Sequence, residues 1–289
     1  MSYRITTDST ADLPQEFLNE RGIAYVGLAF QIGGEEYREG PDLKMTSKEF
    51  YDQLRAGTPA STVQVNTYEF IDFAEPFLAA GEDVLHIAFS SGLSGTYESC
   101  ARGAEELRAK YPDRKIVVVD SLAASMGEGL LVYHAAQQQK AGRSIEETAR
   151  WLEENKLHLA HWFTVDDLNH LKRGGRVSGA AAFFGTMLNI KPVLHVDDAG
   201  HLIPMEKVRG RKASLDALVA HMEKDAVDPA SQTVFISHGD CRADAEYVAD
   251  LVREKFGTQD IRIHSIGPVI GSHSGPGTVA LFYLGRTRG

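Results

Sequence analysis

The sequence has little cysteine, no long apolar run and no surplus of positive charge, and each shortage argues against a class of protein. Two cysteines in 289 residues, Cys100 and Cys241, allow at most one disulfide bridge and match no metal-site spacing. No apolar run has the length of a membrane-spanning helix. The net charge of −10 argues against a general nucleic-acid binder, which needs surplus cations to neutralise phosphates. We expect a cytoplasmic globular protein with no integral membrane segment.

The standard motifs of nucleotide and hydrolase chemistry are also missing. The glycine-rich residues 271–277 lack the lysine of a P-loop, and no G-x-G-x-x-G follows a strand. The nucleophile-elbow pattern G-x-S-x-G is incomplete at residues 92–96, because Thr96 stands in place of its second glycine. No H-E-x-x-H and no clustered set of acidic metal ligands occurs. We therefore expect no catalytic residues, no metal and no cofactor.

Apolar runs alternate with amphipathic segments, which predicts an α/β fold with a parallel sheet flanked by helices. One of these apolar runs, residues 23–32, is predicted as a single strand. The regular alternation of strand-like and helix-like segments changes in the second half, where residues 193–195 and 202–208 predict a β-hairpin with a glycine turn. We therefore predict an N-terminal α/β domain over residues 1–154 and a C-terminal α/β domain over residues 155–289.

Small hydroxyl residues and glycines follow the predicted strands. The run SSGLSGTY at residues 90–97 stands between an apolar strand and a helix, and residues 61–64 form a predicted loop before another helix. Glycines let the backbone approach a ligand, and free amides at a helix start face negative charge. Because parallel strands end at one edge of their sheet, the sequence predicts a site there for a single negative charge. Taken singly, each hydroxyl can equally be a helix cap.

Two further segments are candidates for ligand contacts. His273 lies between Gly271 and Gly275 in a predicted loop, where it is either structural or a donor to a carboxylate or phosphate. Residues 180–190 combine small residues with two phenylalanines and a methionine, which suits either ordinary core or a channel for a flexible hydrocarbon. Both alternatives stay open from the residues alone.

Positive charge is concentrated in one stretch of the chain. Residues 172–212 hold eight lysines and arginines against three acidic residues, a local charge of +5 in an acidic protein. This basic stretch is either a solvated face or a docking surface for an acidic or phosphate-carrying partner.

Five short motifs follow one another between residues 5 and 284. They are TDSTADL (7–13), SGLSGTY (91–97), DS with SMG (120–121, 125–127), LKRGGR (171–176), and IGPVIG with HSGPG (266–271, 273–277). In this order they resemble the DegV family, the fatty-acid-binding proteins that serve as acyl-carrying subunits of bacterial fatty acid kinase. Residues 62–66 read TVQVN where the family usually has threonine, serine, glutamine, proline and serine, so Thr62 and Gln64 match and the other three positions differ.

The resemblance implies a two-domain DegV-like fold that holds a long-chain fatty acid in a tunnel of the C-terminal domain. It implies that Thr62 and Ser94 donate hydroxyl hydrogen bonds to the carboxylate, that the Gly95 amide assists, and that His273 lies beside it. A separate kinase subunit would convert the bound acid to an acyl phosphate for phospholipid synthesis. The protein itself would be a lipid-binding subunit and not an enzyme.

The basic stretch is the predicted docking surface for the kinase subunit. Because neutral donors already supply the carboxylate site, we expect Arg173, Arg176 and Arg209 to dock the kinase subunit.

Two other functions stay open at this point. The family fold resembles that of dihydroxyacetone kinase, so a small-molecule kinase or phosphotransferase is the main alternative, weakened by the missing nucleotide loop. An esterase using Ser94 with His273 is a third possibility, weakened by the failed elbow.

Overall fold

A computed structural model describes residues 3–177 and 189–289, and strands alternate with helices through most of these residues. Below, the first part of the chain ends at residue 158 and the second part begins at residue 159. The strands of the first part, up to residue 158, are β1 (Tyr3–Asp8), β2 (Ala24–Val26), β3 (Ala29–Ile32), β4 (Glu35–Arg38), β5 (Ala60–Val63), β6 (Asp83–Ala88) and β7 (Ile116–Asp120). Its helices are α1 (Gln15–Arg21), α2 (Ser47–Arg55), α3 (Thr67–Ala79), α4 (Thr96–Lys110), α5 (Met126–Lys140) and α6 (Ile145–Asn155).

Four of these strands form a parallel sheet in the order β2-β1-β6-β7. The strand β6 is buried along its whole length, as expected for a central strand covered on both faces. Helices α3, α4, α5 and α6 contact it. The predicted parallel sheet flanked by helices is confirmed.

The prediction of one strand over residues 23–32 is wrong, because the chain changes sheet after Val26. Strand β2 joins the parallel sheet, whereas β3 pairs with β4 and β5 in an antiparallel sheet. At Gly27 a side chain would bring its Cβ within 1.9 Å of the Glu39 carbonyl oxygen. The next residue, Leu28, accepts a hydrogen bond from the Glu39 amide and donates one to Ser9 Oγ. This close backbone crossing ends the first strand, and an apolar pattern does not reveal it.

The prediction of a loop at residues 61–64 is also wrong in part, since β5 covers Ala60–Val63 and pairs Thr62 with Phe30 of β3. A four-residue strand with one exposed face is too short for its alternation to stand out. The ladder fixes the backbone of Thr62.

The strands of the second part are β8 (Leu159–Thr164), β9 (Ile190–Val196), β10 (Leu202–Arg209), β11 (Val234–His238), β12 (Ile261–Ser265) and β13 (Val279–Leu284). Its helices are α7 (Asn169–Gly174), α8 (Arg211–Asp225), α9 (Arg242–Phe256) and α10 (Pro268–Ser274). The strands form one sheet in the order β10-β9-β8-β13-β11-β12. The predicted hairpin is confirmed as the antiparallel pair β9 and β10.

His273 lies on helix α10 and not in a loop as predicted. The glycines at 271 and 275 suggested a loop, whereas Pro268 at the first helical position was the signal of a helix start. The helix contacts β3, β5, α2 and α7, so it packs against elements from both parts of the chain.

Helix α5 lies between the two large sheets, since it contacts β1 and β6 of one and β8, β11 and β13 of the other. Every strand of the parallel sheet precedes residue 154 and every strand of the six-stranded sheet follows it. The domain boundary itself stays a prediction. Within residues 3–177 and 189–289, no helix is both long and apolar enough to cross a membrane. Most of the predicted hydrocarbon channel, residues 180–188, lies outside the described residues.

Candidate ligand-binding site

A cavity of about 310 Å³ draws its walls from both parts of the chain. Most of its lining is apolar, with contributions from Leu28, Phe89, Leu93, Phe163, Val196 and Phe282. The volume and the apolar walls with a few polar groups are typical of a small-molecule site.

Polar groups meet at one end of this cavity. Thr62, Ser94 and His273 line it together, although they are far apart in the sequence. Thr62 Oγ1 and His273 Nε2 are 2.8 Å apart, within hydrogen-bonding distance. The structure therefore places three of the four predicted carboxylate ligands in the lining of one cavity, and the packing of β5 against α10 brings Thr62 and His273 together.

Ser94 also contacts the beginning of helix α4. Its Oγ accepts a hydrogen bond from the Thr96 amide at 3.2 Å, and it lies 2.9 Å from Thr96 Oγ1. It therefore supports the first turn of α4 while lining the cavity. The Gly95 amide donates to Gln64 Oε1 at 3.1 Å, and Gly95 is not part of the lining. Its contact with a carboxylate stays a prediction.

His273 is held as a neutral ring. Burial lowers its pKa to about 4, with a further contribution from the Arg176 guanidinium. The ring packs tightly against α7, because a side chain at Gly174 would place its Cβ 2.2 Å from His273 Nδ1. Nδ1 is buried and has no hydrogen-bond partner among the described residues.

The three arginines predicted to dock a kinase lie in different places. Arg176 lines the cavity beside His273, where Nε donates to the Leu93 carbonyl at 3.2 Å and Nη1 donates to the Gly174 carbonyl at 2.5 Å. Arg173 is exposed on α7, with Nη2 3.0 Å from His170 Nδ1.

An open hollow of about 800 Å³ adjoins the polar end of the cavity. It shares Thr62, Arg176 and His273 with the cavity and also includes Arg173. Arg209 is exposed at the end of β10 and lines neither space. The polar end thus faces both the apolar cavity and the protein surface.

Sequence reasoning missed a group of four buried carboxyl groups behind the site: Asp8, Asp12, Glu39 and Glu128. Burial raises the pKa of Asp8 to about 6 and that of Glu39 to about 7, and it raises the pKa values of Asp12 and Glu128 well above their usual range. Asp8 and Asp12 belong to the TDSTADL motif, but nothing in the sequence marked the two glutamates. Among the described residues, no group of acids, histidines and cysteines has the arrangement of a metal site.

Hydrogen bonds connect two of these acids, Asp8 and Glu128. Thr10 Oγ1 lies 2.5 Å from Asp8 Oδ1 and 2.9 Å from Glu128 Oε2, and its single proton serves only one of them. The amides of Thr10 and Phe89 also donate to Asp8, which favours its ionised form. Glu128 accepts from Thr7 Oγ1 at 2.8 Å as well, so the hydroxyls of Thr7 and Thr10 tie the two acids together.

Two of the acids hold the start of the helix that carries His273. Asp12 Oδ1 accepts from the Gly267 amide at 2.8 Å, and Glu39 Oε1 accepts from the Val269 amide at 2.9 Å. These contacts fix the orientation of α10 from the first part of the chain.

His161 on β8 is the second histidine of the cavity, and sequence reasoning also missed it. The two-residue alternation of the strand was the available signal, since it places His161 and Phe163 on the same face. Both residues line the cavity.

Comparisons with a family model and with known proteins agree on one family. The family described as "Uncharacterised protein, DegV family" matches residues 2–286. A DegV domain-containing protein of Clostridium perfringens is 51% identical over 284 residues, which are 98% of each chain. The chain therefore belongs to the DegV family.

Solved structures of the family share this fold. A structure described as fatty acid binding of a DegV family protein from Thermus thermophilus has a TM-score of 0.87 at 29% identity, covering 98% of this chain and 100% of that one. DegV from Bacillus subtilis, described as a fatty acid binding protein, has a TM-score of 0.84 at 29% identity, covering 99% and 100%.

Proposed function

We propose that this protein binds a long-chain fatty acid in the cavity and presents it to a kinase subunit, which converts it to an acyl phosphate. The observation that carries the proposal is a cavity with mostly apolar walls whose lining includes the Thr62 and Ser94 hydroxyls, the His273 imidazole and the Arg176 guanidinium. The fatty acids bound by the Thermus thermophilus and Bacillus subtilis relatives support it.

Burial of the hydrocarbon drives the binding. Each buried CH₂ contributes about 0.8 kcal/mol, so a sixteen-carbon chain gains at most about 12 kcal/mol. A carboxylate left without partners inside a protein would offset several kcal/mol of this gain. The hydroxyls of Thr62 and Ser94 therefore act as the donors that make burial of the head group favourable.

Donation by Thr62 sets the tautomer of His273. The Thr62 hydroxyl has one proton, and in the complex that proton goes to the carboxylate. His273 Nε2 must then carry a proton and donate it to Thr62 Oγ1, which is 2.8 Å away. The unprotonated Nδ1 remains against Gly174. A neutral imidazole thus polarises the hydroxyl that contacts the ligand.

Arg176 adds positive charge to this end of the cavity. It lines the cavity beside His273, and it donates hydrogen bonds to the carbonyls of Leu93 and Gly174. Its charge therefore attracts the fatty acid head group. The same end borders the open hollow, so a phosphoryl donor held by a partner can approach the carboxylate from the surface.

Mass spectrometry of an organic extract of the purified protein tests the proposal. We expect about one long-chain fatty acid per protein, with less fatty acid in the double variant Thr62→Ala, Ser94→Ala. An empty protein that hydrolyses ATP would favour the small-molecule kinase. Adding a fatty acid kinase catalytic subunit and ATP should then yield acyl phosphate, and the protein alone should yield none.

A further inference from the structure

One wall of the cavity is a face of the six-stranded sheet, and the strand register orders its lining residues into rows. One row pairs Phe163 of β8 with Ala280 of β13, and Ala280 with Ser237 of β11. A neighbouring row pairs His161 with Phe282. All five side chains line the cavity.

The row of His161 lies farther from the carboxylate end. Strand β8 ends at Thr164 and leads into α7, whose Gly174 packs against His273. Thr164 also pairs with Val279, which follows α10 closely in the chain. His161 precedes Thr164 by three residues, about 10 Å along the strand at 3.3 Å per residue. His161 lines the cavity but not the open hollow that Thr62, Arg176 and His273 border, so a ligand whose head group is at His273 brings a later part of its chain to His161.

His161 is buried without hydrogen bonds. It is 1% exposed, and both ring nitrogens lack a partner among the described residues. The ring packs edge-on against Phe282 at 5.0 Å, and its Nε2 lies 1.6 Å from where a side chain at Gly127 would place Cβ. Burial lowers its pKa well below the usual range, so the ring is neutral.

A polar group in this position needs a physical reason, because a buried donor or acceptor without a partner destabilises the fold. Phe163 and Phe282 beside it are apolar, and an apolar residue would suit a plain hydrocarbon better. A CH₂ group offers no hydrogen bond to an imidazole, whereas a hydroxyl both donates and accepts. A hydroxyl on the ligand therefore satisfies a ring nitrogen in either tautomer.

We propose that His161 makes this cavity selective for fatty acids whose chain carries a hydroxyl group remote from the carboxyl group. The inference rests on the fatty-acid binding proposed above and adds the chemistry of the chain. The cavity serines Ser125 and Ser237 lie 2.9 Å apart, and Ser125 donates to Asp12. Both serines thus have protein partners, whereas both ring nitrogens of His161 have none among the described residues.

Competition binding against a fluorescent fatty acid tests the proposal, with stearic acid and a positional series of hydroxystearic acids as competitors. We expect the protein to bind at least one hydroxystearic acid about tenfold more tightly than stearic acid, equivalent to about 1.4 kcal/mol. His161→Leu should reverse the order and favour stearic acid. His161→Gln, which keeps a donor and an acceptor, should retain part of the preference.

His195→Leu is the matched control. His195 is also a buried histidine of this sheet with an unpartnered Nδ1 in the described structure, but it stacks on Trp162 and does not line the cavity. Its loss should leave the ratio of the two affinities unchanged.

Each outcome of this experiment has a definite meaning. Stearic acid binding as tightly as every hydroxystearic acid, or a ratio unchanged in His161→Leu, overturns the selectivity. Failure to bind any fatty acid overturns the proposed function itself. If His161→Leu does not fold, NMR of the His161 ring in the unmodified protein replaces the variant. The chemical shifts of its ring nitrogens should change more with the preferred hydroxystearic acid than with stearic acid, and equal changes would overturn the proposal.

Discussion

The two ends of the cavity each contain one histidine, the half-buried His273 and the fully buried His161, and their surroundings are opposite. His273 has Thr62 as a hydrogen-bond partner, Arg176 beside it and an open hollow adjoining it. His161 has no hydrogen-bond partner in the described structure, packs on Phe282 and does not line that hollow. Burial lowers the pKa of both rings.

The difference separates two kinds of recognition. A charged head group needs several donors and a cation close to water, since desolvation without compensation is unfavourable. A neutral group on the chain needs one hydrogen bond in a dry place, where that bond is stronger than in water. One cavity can combine both because β5 and α10 supply Thr62 and His273 to its lining, whereas β8 of the six-stranded sheet supplies His161.

The largest effect should come from removing the hydroxyls of the charged end. Thr62→Ala and Ser94→Ala should each lower acyl affinity by about 1.5–3 kcal/mol, the range for a hydrogen bond to a charged group. This is roughly a 10- to 100-fold loss for each, and a larger loss for the double variant. Equilibrium binding of a fluorescent fatty acid measures it.

Ser61→Ala is the matched control for Thr62→Ala, because Ser61 is the exposed neighbour on β5 and does not line the cavity. Its affinity should equal that of the unmodified protein. Unchanged affinity in the double hydroxyl variant would remove both residues from the ligand site.

A smaller effect should follow from moving His273. In Gly174→Ala the new methyl group would lie 2.2 Å from His273 Nδ1, so the ring must shift. Overpacking of this kind costs about 1–3 kcal/mol, and we expect about a tenfold loss of acyl affinity. Gly40→Ala is the control, because its Cβ would meet no atom within 4 Å. Equal affinities in the two variants would show that the position of His273 does not matter for binding.

Much of this architecture follows from the sequence, but contacts between distant segments do not. Alternation and turn residues predicted the parallel sheet and the hairpin correctly, because those signals are local. The switch of sheet at Gly27 depends on the passage of Glu39 beside it, more than ten residues later. No local pattern carries that information.

The candidate site was likewise predictable only in part from the sequence. Thr62, Ser94 and His273 were predicted from strand ends and from a family resemblance, and the structure brings them together. His161 was missed because a histidine in an apolar strand carries no sign of whether it has a partner. The position of Arg176 could not be predicted either, since this arginine is exposed like Arg173 but also lines the cavity.

The pKa of His273 should respond to the ligand. A bound carboxylate favours the protonated ring, so the pKa should rise from its value of about 4. Without ligand the fold lowers this pKa from 6.5, so His273 makes the protein less stable as pH falls from about 6.5 to 4, and the ligand should reduce that loss.

NMR titration of the ring with and without stearic acid measures this change. His161 serves as the comparison, because stearic acid brings no charge to its end of the cavity and should leave its ring neutral. A pKa of His273 that is unaffected by fatty acid makes that residue structural.

The smallest effect on acyl affinity should come from Arg173 and Arg209. Arg173→Glu and Arg209→Glu should slow phosphorylation of bound fatty acid by a kinase subunit while changing acyl affinity less than twofold, because Arg209 lines neither space and Arg173 lines only the outer hollow. High salt should reproduce the defect, since exposed charges are screened beyond about 8–10 Å at physiological ionic strength.

Arg176→Glu sharpens the contrast, because this arginine lines the cavity beside His273. Reversal there should weaken acyl binding directly, by repulsion of the carboxylate, and the loss should appear without any kinase present. If the Arg173 and Arg209 reversals abolish acyl binding while partner association is unaffected, those arginines belong to the ligand site. If Arg176→Glu binds fatty acid normally and fails only with the kinase, all three arginines act in docking and the head group is held by neutral donors alone.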